Sequence, residues 1–257
     1  MNDNYKNILV SIITVVRNNS DTIEHCIKSV LAQNFPNIEY IIIDGNSTDG
    51  TLEIIKKFRS KIYRVISEND KGIYDAFNKG IKIANGDIIG MLNSDDFFYD
   101  DNVIQEIVEK FRTLNFDILY GNMEIVYKND LNKIYRYWAG GRFLPFKLKL
   151  GWMPPHPSCY INKDVYSKYG LYDDKYKISG DYDFLIRIFK VKNLSISYLN
   201  KTLIKMRHGG KSNKNIYLFI LKKYEDYKAL KKNKILFPLN ALFWKSFIKI
   251  PQLFIRH

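Results

Sequence analysis

Two carboxylates stand side by side where a hydrophobic run ends. DIIGMLN (87–93) reads as a buried strand, and Asp95 and Asp96 follow it directly. Like charges this close repel, so a fold that keeps them there needs a cation between them. Hard oxygen ligands favour Mg²⁺ or Mn²⁺. Opposite unit charges 4 Å apart gain about 4 kcal/mol at an effective dielectric near 20. That is enough for a bound divalent ion to hold a nucleoside diphosphate and to steady it as it leaves. The simpler reading is an acidic turn that caps the helix starting near Asp100 and Asp101.

Three more polar clusters end three more apolar runs: Arg17-Asn18-Asn19, Asp44-Gly45-Asn46-Ser47 and Glu68-Asn69-Asp70-Lys71-Gly72. The runs that precede them are ILVSIITVV (8–16), IEYIIIDG (38–45) and KIYRVIS (61–67). Their β-branched, nearly continuous apolar character suits buried parallel strands. Helix-patterned segments separate them, SDTIEHCIKSVLAQ with Asp21 and Glu24 at capping-box spacing, TDGTLEIIKKF, and IYDAFNKGIKIA (73–84). Strand–helix alternation at this spacing predicts an α/β fold with a Rossmann-like, nucleotide-binding half, whose ligands sit outside the carboxyl ends of the strands. Four polar strand ends at that one edge are the best bottom-up sign of a site. Neither GxGxxG after the first strand nor GxxxxGK[ST] occurs, so a diphosphate must find another counter-charge.

The second half reads as mixed. DILYG and MEIVYK suggest a strand pair, HPSCYI a further strand, DYDFLIRIFK a helix, and LSISYL (194–199) an alternating edge or cross strand. WMPPHP (152–157) is a proline-stiffened loop whose Trp152 and His156 read as exposed and suit sugar contacts. His208, beside Gly209, could close over a diphosphate or join a metal, and a plain turn fits equally well. Lys71 and Arg17 could reach a nucleotide. Asn78 and Asp75 read as ties between the third helix and the loops.

With 257 residues, 46% of them hydrophobic, the chain can bury a large core. Cys26 and Cys159 are far apart and lack metal-ligand spacing, so both read as buried thiols in a reducing cytoplasm. MNDNYKN does not read as a signal peptide, and no apolar run reaches membrane-spanning length. Charge is unevenly placed. Residues 201–257 hold 14 Lys and Arg against Glu225 and Asp226 alone, a net of +12, and the first 200 residues net +1. ILFPLNALFWKSFIKIPQLFI (235–255) puts Lys245, Ser246, Lys249 and Gln252 on one helical face, opposite an apolar arc with Phe243, Trp244, Phe247 and Phe254. Basic, aromatic and amphipathic, these C-terminal helices suit an anionic membrane surface, and packing onto the protein's own body is the alternative.

Six segments carry a resemblance: SIITVVRNN (11–19), YIIIDGNSTDGT (40–51), SENDKGIYDAFNKG (67–80), ANGDIIGMLNSDD (84–96), GWMPPHPS (151–158) and SGDYDFLIR (179–187). Collinear over about residues 8–212, they resemble family 2 glycosyltransferases of the GT-A fold. The resemblance implies a GT-A domain over 1–212, with a nucleotide-binding half (1–98) and an acceptor half (99–212), followed by a membrane-associating appendage (213–257). It also implies a donor site at Val15, Arg17, Asp44, Lys71, Asn78 and Asp95, with Asp44 reading the base. Asp95 and Asp96 then hold Mn²⁺ or Mg²⁺, with His208 as a further ligand. Asp181 maps onto the catalytic base of a single, inverting displacement, and it could also cap its own helix. Trp152, His156 and Asp183 fall on the acceptor side, and Asp183 is placed to pair with Arg187 one turn on.

Three departures stand out: Asn93 where the acidic motif often starts with Asp, Arg17 where Tyr is frequent, and Gly180 where Glu often precedes the base. The chain is most similar to bacterial enzymes of surface-polysaccharide (O-antigen) assembly. These act peripherally at the inner face of the cytoplasmic membrane, moving galactose or glucose from UDP to GlcNAc-diphospho-undecaprenol in a β1,3 linkage. A homodimer is compatible with the sequence. The rival readings are a metal-dependent nucleotidyltransferase, a non-catalytic homologue and a nucleic-acid binder. No nucleic-acid module occurs, and the basic excess is confined to the tail.

Overall fold

The computed structural model describes residues 8–209, 216–248 and 252. Lys249, Phe254 and the 212/213 boundary lie outside them. The first half winds as the periodicity predicts. β1 (Val10–Val16), β2 (Ile38–Asp44), β3 (Arg64–Ser67) and β4 (Ile88–Asn93) alternate with α1 (Ser20–Leu31), α2 (Thr51–Lys57) and α3 (Ile73–Ile83). The four strands lie parallel in the order β3-β2-β1-β4. β1 and β4 are apolar almost throughout because each is covered on both faces. Glycine permits two close approaches: a Cβ on Gly80 would run into Ile13, bringing α3 tight onto β1, and one on Gly90 would meet the Tyr160 ring at 2.7 Å.

Beyond β4 come β5 (Asp96–Phe98), α4 (Val103–Leu114), β6 (Ile118–Tyr127), β7 (Asp130–Trp138), β8 (Cys159–Asn162), α5 (Lys163–Tyr169), α6 (Gly180–Phe189) and β9 (Ile196–Arg207). The sheet continues through β4-β8-β6-β9-β5, with β7 hairpinned onto β6, so strands from both halves form one nine-stranded mixed sheet. The 98/99 position falls inside this sheet. One expectation changes. DILYG and MEIVYK are one strand, not a pair, because Gly121 lets β6 run on where a Cβ would hit Leu203. LSISYL opens β9, where it pairs β6 alone, and β9 meets β5 only further on, at Ile204–Met206.

One core lies under α1 and α4, around Ile23, Ile27, Ile104, Ile107 and Phe111. The opposite core lies under α3 and α6, around Phe77, Tyr120, Phe184 and Ile188. Cys26 and Cys159 are buried and unbridged, and burial pushes the Cys26 thiol up to about 12. The capping box of α1 does not form: Glu24 pairs with Lys28 at 2.7 Å, and no side chain caps the helix.

α7 (Ile216–Lys232) packs on α6, α8 (Pro238–Phe247) packs on α7 and on the turn at Pro145–Leu150, and a Cβ on Gly151 would run into the Ala241 carbonyl of α8. The tail therefore docks on the body, in an unexpected sense. Lys245 and Gln252 are each 8% exposed and turn inward. Leu236, Phe237, Leu239, Phe243, Trp244 and Phe247 face outward, as do Ile216, Tyr217, Phe219, Ile220 and Tyr224 on α7. Among the described residues, no helix is long and apolar enough to cross a membrane.

Candidate active site

The strand-end loops and the C-terminal helices enclose a cavity of about 760 Å³. Asn93, Asp95, Asp181, Trp152, His156 and His208 all line it.

The β4–β5 turn presents Asp95 to the cavity and buries Asp96. Asn93 Nδ2 donates to Asp96 Oδ2 at 2.8 Å, whereas Oδ1 is buried with no hydrogen-bond partner among the described residues. Burial, and then the Asp95 charge, pushes the Asp96 carboxyl well above the usual carboxylate range. The cation that the pattern calls for is present in the chain itself. From the end of β9, Arg207 donates Nη1 to the Asp95 carbonyl at 2.7 Å and Nη2 to His25 Nδ1 at 2.5 Å, and it stacks over Phe97. His25 can accept because burial, with Arg207 beside it, holds its imidazole below its ordinary value and so neutral. Burial holds the Arg207 guanidinium below its ordinary value, and the Asp95 charge beside it opposes that shift.

No group of three or more His, Cys, Asp or Glu side chains that could hold a metal ion forms among the described residues. The expected trio of Asp95, Asp96 and His208 therefore does not converge. His208 is exposed at the rim with its ring 3.9 Å from that of Tyr135. The donor set still fits Mg²⁺ or Mn²⁺ in the sparse manner of substrate-bridged ions. Asp95 at the cavity, with the unpartnered oxygen of Asp96 on the next residue, would hold such an ion, which would supply positive charge for a departing diphosphate.

Asp181 stands in the first turn of α6. Its Oδ1 accepts the Tyr182 N–H at 2.8 Å and the Tyr74 hydroxyl at 3.2 Å, and that hydroxyl also donates to the Ile178 carbonyl at 2.5 Å. Burial and the Asp181 charge push the Tyr74 phenol well up, so it stays a donor. The same ring explains Gly180: a Cβ there would sit 2.7 Å from Tyr74 Cδ2, leaving no room for a glutamate. Glu225 of α7 holds the preceding loop by accepting the backbone N–H groups of Lys177, Ile178 and Ser179 at 2.8, 2.8 and 2.9 Å. Three charge-assisted bonds to consecutive amides fix where α6, and so Asp181, begins.

Several expected site residues have structural roles. Asp44 is fully buried, and its carboxylate accepts Ser47 N–H (3.0 Å), Ser47 Oγ (2.5 Å) and Ser67 Oγ (2.7 Å). It anchors the loop after β2 through three accepted bonds. Val15 is a core side chain. The Asn78 amide is engaged in both directions with the backbone of Tyr172, at 2.8 and 3.0 Å. Asp75 accepts from the Lys71 N–H, as a loop tie should. Arg17 and Lys71 are exposed at the strand ends, outside the cavity wall.

Asp183 points away from the cavity. Fully buried, it accepts Lys232 Nζ and Asn233 Nδ2, each at 2.9 Å, and thereby pins α6 to α7. Arg187 does not pair with it, donating instead to the Leu171 carbonyl at 2.5 Å. Trp152 and His156 are buried rather than exposed, yet both line the cavity. Trp152 Nε1 donates to the Gly140 carbonyl at 3.2 Å, and His156 Nε2 lies 2.7 Å from the Tyr172 hydroxyl. Burial pushes the His156 imidazole down, which keeps it neutral.

Tyr74, Arg207 and Glu225 were not anticipated. Only Glu225 left a signal, as one of two acids in a strongly basic tail.

Fold and cavity together define an α/β enzyme built for group transfer. The chain belongs to glycosyl transferase family 2, whose model matches residues 11–170. An uncharacterised glycosyltransferase of Rickettsia prowazekii is 30% identical over 233 residues, 88% of this chain and 72% of that protein. Among solved structures, S. aureus TarS 1-349 superposes with a TM-score of 0.65 at 19% identity, covering 88% of this chain and 64% of TarS 1-349. This chain therefore spans just under two thirds of that one. The TarS complex with UDP-GlcNAc gives a TM-score of 0.64 at 19% identity, with 87% and 67% covered. Mannosyltransferase PcManGT from Pyrobaculum calidifontis, in complex with GDP-Man and Mn²⁺, gives 0.64 at 12% identity, with 96% and 73% covered. The fold is GT-A, and the enzyme class is glycosyltransferase.

Proposed function

We propose that this enzyme moves a hexose, galactose or glucose, from its UDP conjugate with inversion onto a lipid-linked saccharide. The acceptor is of the GlcNAc-diphospho-undecaprenol type, the linkage β1,3, and the setting surface-polysaccharide (O-antigen) assembly at the inner face of the cytoplasmic membrane. The observation that carries the reading is that Asp181 and Asp95 line one cavity. Asp181, held by Tyr74 and by its own helix N-terminus, takes the proton of the acceptor hydroxyl as the new glycosidic bond forms. Arg207 and the Asp95 turn face the leaving diphosphate. A divalent cation at Asp95 would supply further neutralisation of the departing phosphate. The UDP-GlcNAc held by TarS and the GDP-Man and Mn²⁺ held by PcManGT support a nucleoside diphosphate sugar as donor.

The exposed aromatic face of α7 and α8, on a tail of net charge +12, supports docking on anionic lipid. Each Lys or Arg near such a surface contributes about 1 kcal/mol.

UDP release from UDP-Gal and UDP-Glc, with a GlcNAc-diphospho-lipid as acceptor, tests the reading. Acceptor-dependent release that EDTA abolishes, and that Asp181→Asn lowers by roughly 10²- to 10⁴-fold, is the expected result. Acceptor-dependent release from GDP-Man alone would refute the UDP donor.

A further inference from the structure

The cavity carries a second group of charges. Besides Asp95 and Asp181 it is lined by Lys177, Lys222 and Lys245, with Asp226 among them. Lys245, on the inner face of α8, is the buried one. Its Nζ lies 2.8 Å from Asp226 Oδ1 and 3.2 Å from the centre of the Tyr182 ring, next to Asp181 in sequence. Lys222 stands one turn before Asp226 on α7, near enough that its charge acts against that of Lys245. Lys177 is brought alongside because Glu225 grips its backbone N–H. The ammonium groups of Lys177 and Lys222 have no carboxylate partner among the described residues.

Buried Lys245 is balanced by Asp226 and by the nearby Asp181 charge, whereas Lys177 and Lys222 bring that unpaired positive charge to the cavity wall and suit an anion there. The anion need not be the donor's diphosphate, because Arg207, held against the Asp95 turn, already offers that group a cation in the same cavity. α8 supplies a further constraint. Lys245 lines the cavity, while its helix neighbours Phe243, Trp244 and Phe247 are 56%, 44% and 46% exposed on the outside. A helix with side chains is about 10 Å across, so charge and grease are one helix apart.

We propose that the lysine group is a subsite for the phosphate or diphosphate ester of the acceptor, whose lipid chain leaves along the outer face of α8. The proposal rests on the glycosyl-transfer reading and adds to it the residues that select an anionic, lipid-bearing acceptor.

Calorimetric binding to the full chain, without turnover, tests it with farnesyl phosphate, farnesol and inorganic phosphate as probes. Farnesyl phosphate is expected to bind at least tenfold more tightly than either farnesol or inorganic phosphate. The double variant Lys177→Glu/Lys222→Glu, altered where the side chains are not buried, should weaken it at least tenfold, and Asp95→Ala should leave it unchanged. Farnesol binding equally well, inorganic phosphate binding equally well, or loss of binding in Asp95→Ala would each overturn the assignment. Indifference to the double variant would overturn it too. UDP titrated with Mn²⁺ reports on the donor site separately, so failure of the lysine subsite and failure of the transferase reading give different results.

Discussion

One parallel strand, β2, ends in aspartate and another, β4, runs into a turn with two, and the two ends could hardly differ more. Asp44 closes β2 with every bond it makes satisfied from inside the protein, by Ser47 and Ser67. The Asp95–Asp96 turn closes β4 with one buried carboxylate oxygen lacking a partner and with Asp95 facing a cavity. A carboxylate saturated by its own loop contributes to stability. In the β4 turn buried Asp96 is short of a donor, while its neighbour Asp95 faces the cavity where a ligand can reach it. Residue type is the same at both ends, and hydrogen-bond satisfaction separates them.

Substitution can break that comparison. The largest effect is expected at the β4 end. Asp95→Ala should lower acceptor-dependent transfer by ~10²-fold or more while leaving thermal stability nearly unchanged, as read by UDP release beside a melting curve. A smaller, opposite pattern is expected at the β2 end. Asp44→Asn converts an acceptor into a mixed group facing three donors, which should cost about 1–3 kcal/mol in urea unfolding. The folded fraction should keep its kcat and its donor KM within a few-fold. Unchanged stability with a tenfold rise in donor KM would show instead that Asp44 reads the base.

His156 gives the smallest effect. It is satisfied internally like Asp44, yet it lines the cavity. Its pKa is lowered by burial, so the native state holds it neutral, whereas the unfolded chain takes up a proton near pH 6.5. Stability is therefore full above that value and declines as pH falls below it, with His25 adding a decline of the same sign. His156→Gln should flatten the slope of unfolding free energy between pH 7.5 and 5 by about 1 kcal/mol per pH unit or less.

The first half of the fold was legible because buried parallel strands announce themselves as β-branched runs with helices between them. β6 was read less well. The glycine at 121 looks like a break in a strand, although only the packing against Leu203 decides that the strand runs on. For the site, Asp95 and Asp181 could be picked out from motifs, but Asp183 and Asn78 could not be sorted from them. Both are polar residues on helices near the right place. Lys232 and Asn233 claim Asp183, and the Tyr172 backbone claims Asn78, from 49 and 94 residues away.

By itself the sequence determined the parallel sheet, the edge at which ligands gather, and the unevenness of charge that leaves a basic, aromatic tail. These depend on local periodicity and composition, which each segment carries wherever it lies. Only the tertiary structure decided which carboxylates are satisfied and that Arg207 sits against the acidic turn. It likewise decided that Tyr74 fills the space at Gly180, and that α8 turns Lys245 in and Trp244 out. Each depends on a partner far away in the chain, and burial and hydrogen bonding with that partner exist only once the chain has folded.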